Sequence, residues 1–323
     1  MLLAALALIV GLIVLVWSAD RFIDGASATA LHLGVPSLLI GMLIIGFGTS
    51  APELMVSALS ALQGNPSLAL GNAYGSNIAN IGLVIGLVAV LSPITVHSQI
   101  VRKELPILLG ITLLSGALLL NGQLDRLDAG LLLLVFFALF AWSIVQGIKG
   151  RDDVLIGEID SSLQAHPMPM GKAIAWLVIG LLLLVASSRL LVWGAVDIAT
   201  ALGVSELVIG LTIVAIGTSL PELAAAIAAV RKNEHDLVLG NIIGSGLFNT
   251  LAVVGLAAAI SPLSVEPALL QRDWVLMLVL TVALLVFALS RRGRGGRINR
   301  VEGGCLLLVY LGYLGWLGMH LAG

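Results

Sequence analysis

Charge is what this sequence holds least of. Only 11% of its 323 residues are Asp, Glu, Lys or Arg, against about a quarter in an ordinary soluble domain, which excludes a water-facing globule. The 16 basic and 18 acidic residues nearly cancel, leaving no electrostatic footprint for a nucleic acid. A single cysteine, Cys305, excludes an internal disulfide framework, and the five histidines show no metal-ligand spacing. Nor do the apolar runs hold a nucleophile with an activating base or a His/Asp metal set, as an intramembrane hydrolase would need. What remains is apolar: 59% of residues, rich in Leu, Ile and Val, the opposite of a disordered chain.

Apolar runs of about 18 or more residues read as transmembrane helices. Ten are expected, near 2–30, 35–62, 68–91, 105–121, 129–148, 172–198, 203–230, 237–260, 272–290 and 303–321. The first lacks a basic leader and has a matching segment mid-chain, so it reads as a span and not as a cleaved signal. Lys and Arg fall unevenly between the alternate connections. One set holds twelve, from Arg102 and Lys103 to Arg300, and the other only Arg126 and Arg272. That bias puts the first set in the cytoplasm and both termini outside.

The chain also repeats itself. GFGTSAPEL at 46–54 returns as AIGTSLPEL at 215–223, and LGNAYGSNIAN at 70–80 as LGNIIGSGLFN at 239–249, both offset by 169. Over 48–93 against 217–262, 19 of 46 positions are identical without a gap. Rare Pro, Glu, Asn and Ser do not align in one register by shared apolarity. The expected organisation is a first five-helix repeat at 1–148 with its core at 41–91, a cytoplasmic linker at 149–171, and a second repeat at 172–323 with its core at 210–260. Five spans per half is odd, so the second half enters from the opposite side. The fold class is therefore an all-α membrane protein of ten helices in two inverted repeats, with binding sites expected near the midplane.

Glu53 and Glu222 lie deep within spans, where an ionisable group costs roughly 2.5–3.5 kcal/mol and normally lines an ion path. Thr49 and Ser50 stand four and three residues before Glu53, as Thr218 and Ser219 do before Glu222, so each hydroxyl pair shares a helix face with its carboxylate. Pro52 and Pro221 free carbonyls around 46–49 and 215–218, which a cation can satisfy. The following span of each repeat adds a stripe at i, i+4, i+8: Asn72, Ser76, Asn80 and Asn241, Ser245, Asn249. An all-oxygen set suits hard cations, and a charge of −2 balances one Ca2+ or two Na+. The same ligands could line a channel pore.

GTSxPEL followed by GNxxGSxxxN, present twice in inverted halves, resembles the two repeats of the cation/Ca2+ exchanger superfamily, and the short interior loop resembles its prokaryotic sodium/calcium exchangers. The resemblance spans essentially the whole chain. It implies Na+-coupled Ca2+ extrusion by alternating access, with the first and sixth helices sliding past the rest, and a stoichiometry that moves net charge. It further implies that Glu53 and Glu222 are the central ligands and that Thr49, Ser50, Thr218 and Ser219 are hydroxyl ligands. Gly46 and Ala215 match positions that offer backbone carbonyls, Ser76 and Ser245 the serines of the third and eighth helices, and Asn80 and Asn249 positions held by Asn or Asp. With Asn at both, proton competition there and K+ co-transport are not implied. Gly246 departs from the pattern where Asn77 keeps it. The ions are cargo, no cofactor and no protein partner is expected, and the rival reading is a Ca2+/H+ exchanger, since buried glutamates can take protons.

Other polar residues have plainer expectations. Ser57 and Ser60 are expected to bond back to the i−4 carbonyl. Asp20, Asp24, Asp197 and Glu206 are expected near span ends or paired with Arg21 or Arg189. Asp152, Asp153, Glu158 and Asp160 read as a solvated connector, and the Arg cluster at 291–300 as an orientation signal.

Overall fold

The computed structural model describes residues 2–64, 66–97, 100–149, 168–203, 215–289 and 296–321. The acidic connector, Glu206, the residues 210–214 of the second core and Arg291, Arg292 and Arg294 lie outside the described residues. The helices are α1 (Leu2–Leu33), α2 in two arms (Ser37–Thr49 and Ala51–Leu62), α3 (Pro66–Leu91), α4 (Leu105–Leu119) and α5 (Arg126–Lys149). There follow α6 (Met170–Ala201), α7 in two arms (Ala215–Thr218 and Leu220–Arg231), α8 (His235–Ile260), α9 (Leu269–Ala288) and α10 (Arg300–Leu321). Seven of these are long and apolar enough to cross a membrane, and eight with the arms of α2 taken as one span bent by 43°. At 15 residues α4 is short, and the turn before it carries Arg102, Lys103 and Glu104.

Burial sorts the helices into a centre and a shell. Of the residues in the apolar stretches of α3 and α8, 72% and 83% are buried, against 33% and 28% in those of α1 and α6. Both of these outer helices run 32 residues, about 48 Å at 1.5 Å per residue, so they tilt to fit a core of about 30 Å. They pack chiefly on each other. Glycine permits it at equivalent places: a Cβ on Gly25 would sit 2.5 Å from the Leu177 nitrogen, and one on Gly194 would sit 2.8 Å from the Ala4 carbonyl. Small residues of this kind let backbones close where no hydrophobic effect drives helices together.

The first arm of α2 packs as closely on α8. A Cβ on Gly240 would meet the Leu38 carbonyl at 2.5 Å, one on Gly244 the Met42 carbonyl, and one on Gly46 the Asn241 carbonyl at 2.8 Å. The equivalents of Gly240 and Gly244 in α3 are less covered: Gly71 is exposed and Gly75 half-buried.

Two short strand pairs join the connections. β1 (Ile94–Val96) pairs antiparallel with β4 (Gly296–Ile298), and β2 (Gln123–Leu124) with β3 (Leu263–Ser264). β1 follows Ser92-Pro93 at the end of α3, and β3 follows the equivalent Ser261-Pro262 at the end of α8. Each thus pairs with a strand of the opposite repeat.

Candidate functional site

Both proline-bearing helices break at a serine. Ser50 (φ −84°, ψ 4°) ends the first arm of α2 and Ser219 (φ −92°, ψ 5°) that of α7, two residues before Pro52 and Pro221, which have no N–H to continue the ladder. Glu53 and Glu222 sit in the first turn of the arm beyond, where the helix dipole favours an anion. Both are buried, at 1% and 0% exposure. In the stripe helices, Asn80 and Phe248–Asn249 open widened π turns, Asn80–Ile85 and Phe248–Val253, a distortion frequent at functional sites.

The two carboxylates meet around these breaks. Ser50 Oγ donates to Glu222 Oε1 across the repeats at 3.2 Å, and Ser76 Oγ donates to Glu53 Oε1 at 3.4 Å. The second oxygen of each carboxylate, Oε2, is buried with no hydrogen-bond partner, as are Ser219 Oγ, Asn249 Oδ1 and both side-chain atoms of Asn80. Leaving one such polar atom unpaired costs about 1–3 kcal/mol, and more for a charged group. Five unpaired oxygens in these helices are therefore a donor set for something positive. Among the described residues no three His, Cys, Asp or Glu converge, so the charge available is that of the two glutamates.

The stripe residues do more than one job. Asn72 Nδ2 donates to the Glu53 carbonyl and Asn241 Nδ2 to the Glu222 carbonyl, each at 3.3 Å, a matched pair of braces behind the glutamates. Asn241 Oδ1 also accepts from Thr49 Oγ1 at 3.2 Å, and Thr49 bonds back to the Ile45 carbonyl at 3.0 Å. Ser245 Oγ donates to the Gly46 carbonyl at 3.0 Å, which takes the Ser50 N–H at 3.2 Å as well. In the second repeat the Ser219 N–H turns to Ile216 at 3.1 Å; of Ala215 only the backbone, which opens the short arm of α7, is described. Thr218 is half-buried, unlike Thr49, and lines an open cavity of about 290 Å3 together with Pro52, Pro221, Ser188, Arg189 and Trp193.

One expectation is corrected. Ser57 does not bond to the carbonyl four residues back; that carbonyl, of Glu53, accepts Asn72 Nδ2 from the next helix. Its hydroxyl instead reaches Ala69 O on the next helix at 3.4 Å and accepts Asn72 Nδ2 at 3.1 Å. Ser60 is buried, at 7% exposure. Asp24 pairs with Arg21 at 3.5 Å and, more closely, with Lys232 at 2.6 Å. The reading of the stripe missed Thr250, which bonds Asn77 at 2.8 Å; it lies off the i, i+4, i+8 register, so spacing carries no sign of it.

Buried paired carboxylates ringed by hydroxyl and carboxamide oxygens, inside a bundle of apolar helices, define a multi-pass membrane protein built to handle cations. The sequence matches the family described as sodium/calcium exchanger protein over residues 3–145 and 172–319, and the chain belongs to that family. It is 50% identical over 97% of its length to the protein CaxA of Alkalimonas amylolytica, covering 98% of that protein. It is 32% identical over 96% of its length to the sodium/calcium exchanger MaX1 of Methanosarcina acetivorans, covering 97% of it. Its fold matches a solved structure of the sodium-calcium exchanger NCX_Mj soaked with Na+ and Ca2+, with a TM-score of 0.83 at 30% identity, covering 98% of each chain. The chain is a cation/Ca2+ exchanger of the prokaryotic sodium/calcium exchanger type.

Proposed function

We propose that this antiporter couples inward Na+ flow to Ca2+ export across the cytoplasmic membrane, with Glu53 and Glu222 as the central shared ligands. The observation that carries the reading is the pair of buried glutamates from the two repeats, each holding one hydroxyl-bonded oxygen and one unpaired oxygen. Ser50, Ser219, Thr49, Thr218, Ser76, Ser245, Asn80 and Asn249 supply neutral oxygens around them, and Gly46 and Ala215 backbone carbonyls. Flexible mixed oxygen ligands suit Ca2+, which takes 6–8 of them, and the same −2 charge accepts Na+ in competition. Asn at 80 and 249 adds no charge, so the balance rests on the glutamates.

The architecture behind this reading is ten spans in two inverted five-helix repeats, both termini outside. Strand pairing supports it: with that topology β1 and β4 share the cytoplasmic face and β2 and β3 the outer face. The closed contact of α2 on α8 then lies in the cytoplasmic half, while the 290 Å3 cavity reaching Pro52 and Pro221 lies in the outer half. A counterpart cavity of about 210 Å3, lined by Val16, Ala19, Asp20 and Arg231, lies between α1 and α7 in the cytoplasmic half, so each member of the proposed sliding couple, α1 and α6, borders one cavity.

Ca2+ uptake into proteoliposomes with Na+, K+ and H+ gradients imposed one at a time tests the coupling. Uptake with the Na+ gradient alone is the expected result. Uptake driven by a pH gradient in the absence of Na+ would make the chain a Ca2+/H+ exchanger instead, and single-channel currents would make it a channel.

A further inference from the structure

Asn77 marks a place where the repeats disagree, since its equivalent is Gly246. A cavity of about 10 Å3 lies between them, lined by Asn77, Gly246 and both members of the equivalent pairs Leu108/Met277 and Thr112/Thr281. Lining by both members of each pair puts it where the two repeats meet. A Cβ at Gly246 would press on the movable tip of Leu108, 2.9 Å away, and of the two equivalent positions only Asn77 carries a carboxamide.

The direction of that carboxamide is fixed. Its Nδ2 lies 2.8 Å from Thr250 Oγ1 and 3.4 Å from Met277 Sδ. A thioether can only accept, so the nitrogen end faces Met277 and Oδ1 faces the other way. There Oδ1 accepts from Asn249 Nδ2 at 3.2 Å. With its nitrogen committed to Asn77, Asn249 is left with Oδ1 buried and unpartnered, one of the five oxygens described above. Asn80, whose equivalent position is Asn249, has no such guide: both its side-chain atoms are unpaired.

We propose that Asn77 is a positioning residue for ion binding: it locks the Asn249 amide with its oxygen, not its NH2, offered to the transported cation. This rests on the reading of Glu53 and Glu222 as the ion site. Asn77 touches no ion; it acts by orienting a neighbour whose two ends differ by a single atom but would attract or repel a cation. Where the neighbour has two identical ends, the guide becomes unnecessary.

Binding of radioactive Ca2+ to the purified, Na+-free protein tests this, with melting temperature as the check on folding. In the Asn249 background, Asn77→Ala should weaken Ca2+ binding roughly tenfold, the loss of one oriented ligand. In the Asn249→Asp background one oxygen can face the ion while the other meets Asn77 Oδ1, acceptor against acceptor, so the same substitution should leave binding within about threefold or strengthen it. Met277→Leu removes the acceptor that orients Asn77 and should give a smaller weakening, again only with Asn249; it serves in place of Asn77→Ala if that variant does not fold. Equal weakening in both backgrounds, or none in the Asn249 background, overturns the positioning role. Glu222→Gln abolishes binding in every background if the ion-site reading holds; binding that survives it overturns that reading separately.

Discussion

Each glutamate has one hydroxyl donor, but the donors are not equivalent. Ser50 serves Glu222 across the repeats, while its counterpart Ser219 has no partner; Ser76 serves Glu53, while its counterpart Ser245 serves the Gly46 carbonyl. With Ser50 proposed as a ligand, Ser50→Ala removes one oxygen from around the ion and should lower Ca2+ affinity roughly tenfold, measured by Ca2+ titration of the purified protein. An unchanged affinity would separate Ser50 from the site. The motif makes these residues legible because Thr, Ser and Glu recur around each proline, but the expected shared helix face is corrected: the chain breaks at Ser50 and Ser219, and Ser50 turns to Glu222 of the other repeat. The motif does not say which of several acceptors wins. Ser57 reaches Ala69 on the next helix in place of its own helix's carbonyl, and Asn77 orients Asn249, through contacts between helices that no local spacing encodes.

Among the described residues, helix bounds agree with the apolar runs to within a few residues, the start of the seventh run lying outside them, because burial in lipid and burial in protein both demand apolar side chains over a length set by the bilayer. The breaks at Ser50 and Ser219 follow from Pro52 and Pro221. The π turns after the stripes and the two strand pairs do not follow from any local signal, since both depend on what packs opposite. Close contact between α2 and α8 is argued best by its glycines. Gly244→Leu should collide with the backbone at Met42, costing about 1–3 kcal/mol or more; a lowered melting temperature with loss of transport is expected. Gly75→Leu, at the equivalent position, where an added Cβ would meet nothing within 4 Å, should be tolerated far better in the same melting assay. Equal damage at both positions would contradict the packing asymmetry.

At the scale of the whole molecule, the 169-residue offset is the basis of the proposed inverted architecture, and the strand pairs give it a direct test. In a Cys305→Ser background, Thr95→Cys with Arg297→Cys and Gln123→Cys with Ser264→Cys place thiols at paired positions, so each pair should cross-link. A membrane-impermeant thiol reagent applied to intact cells should label Gln123→Cys and spare Thr95→Cys. Labelling of both from one side would break the inverted topology, and with it the equivalence of Glu53 and Glu222. The most direct measurement of that equivalence is Ca2+ uptake by Na+-loaded proteoliposomes bearing wild-type protein, Glu53→Gln or Glu222→Gln side by side. Both variants should fold, melt near the wild type and take up Ca2+ at the level of empty vesicles; wild-type flux through either would contradict a site that needs both carboxylates.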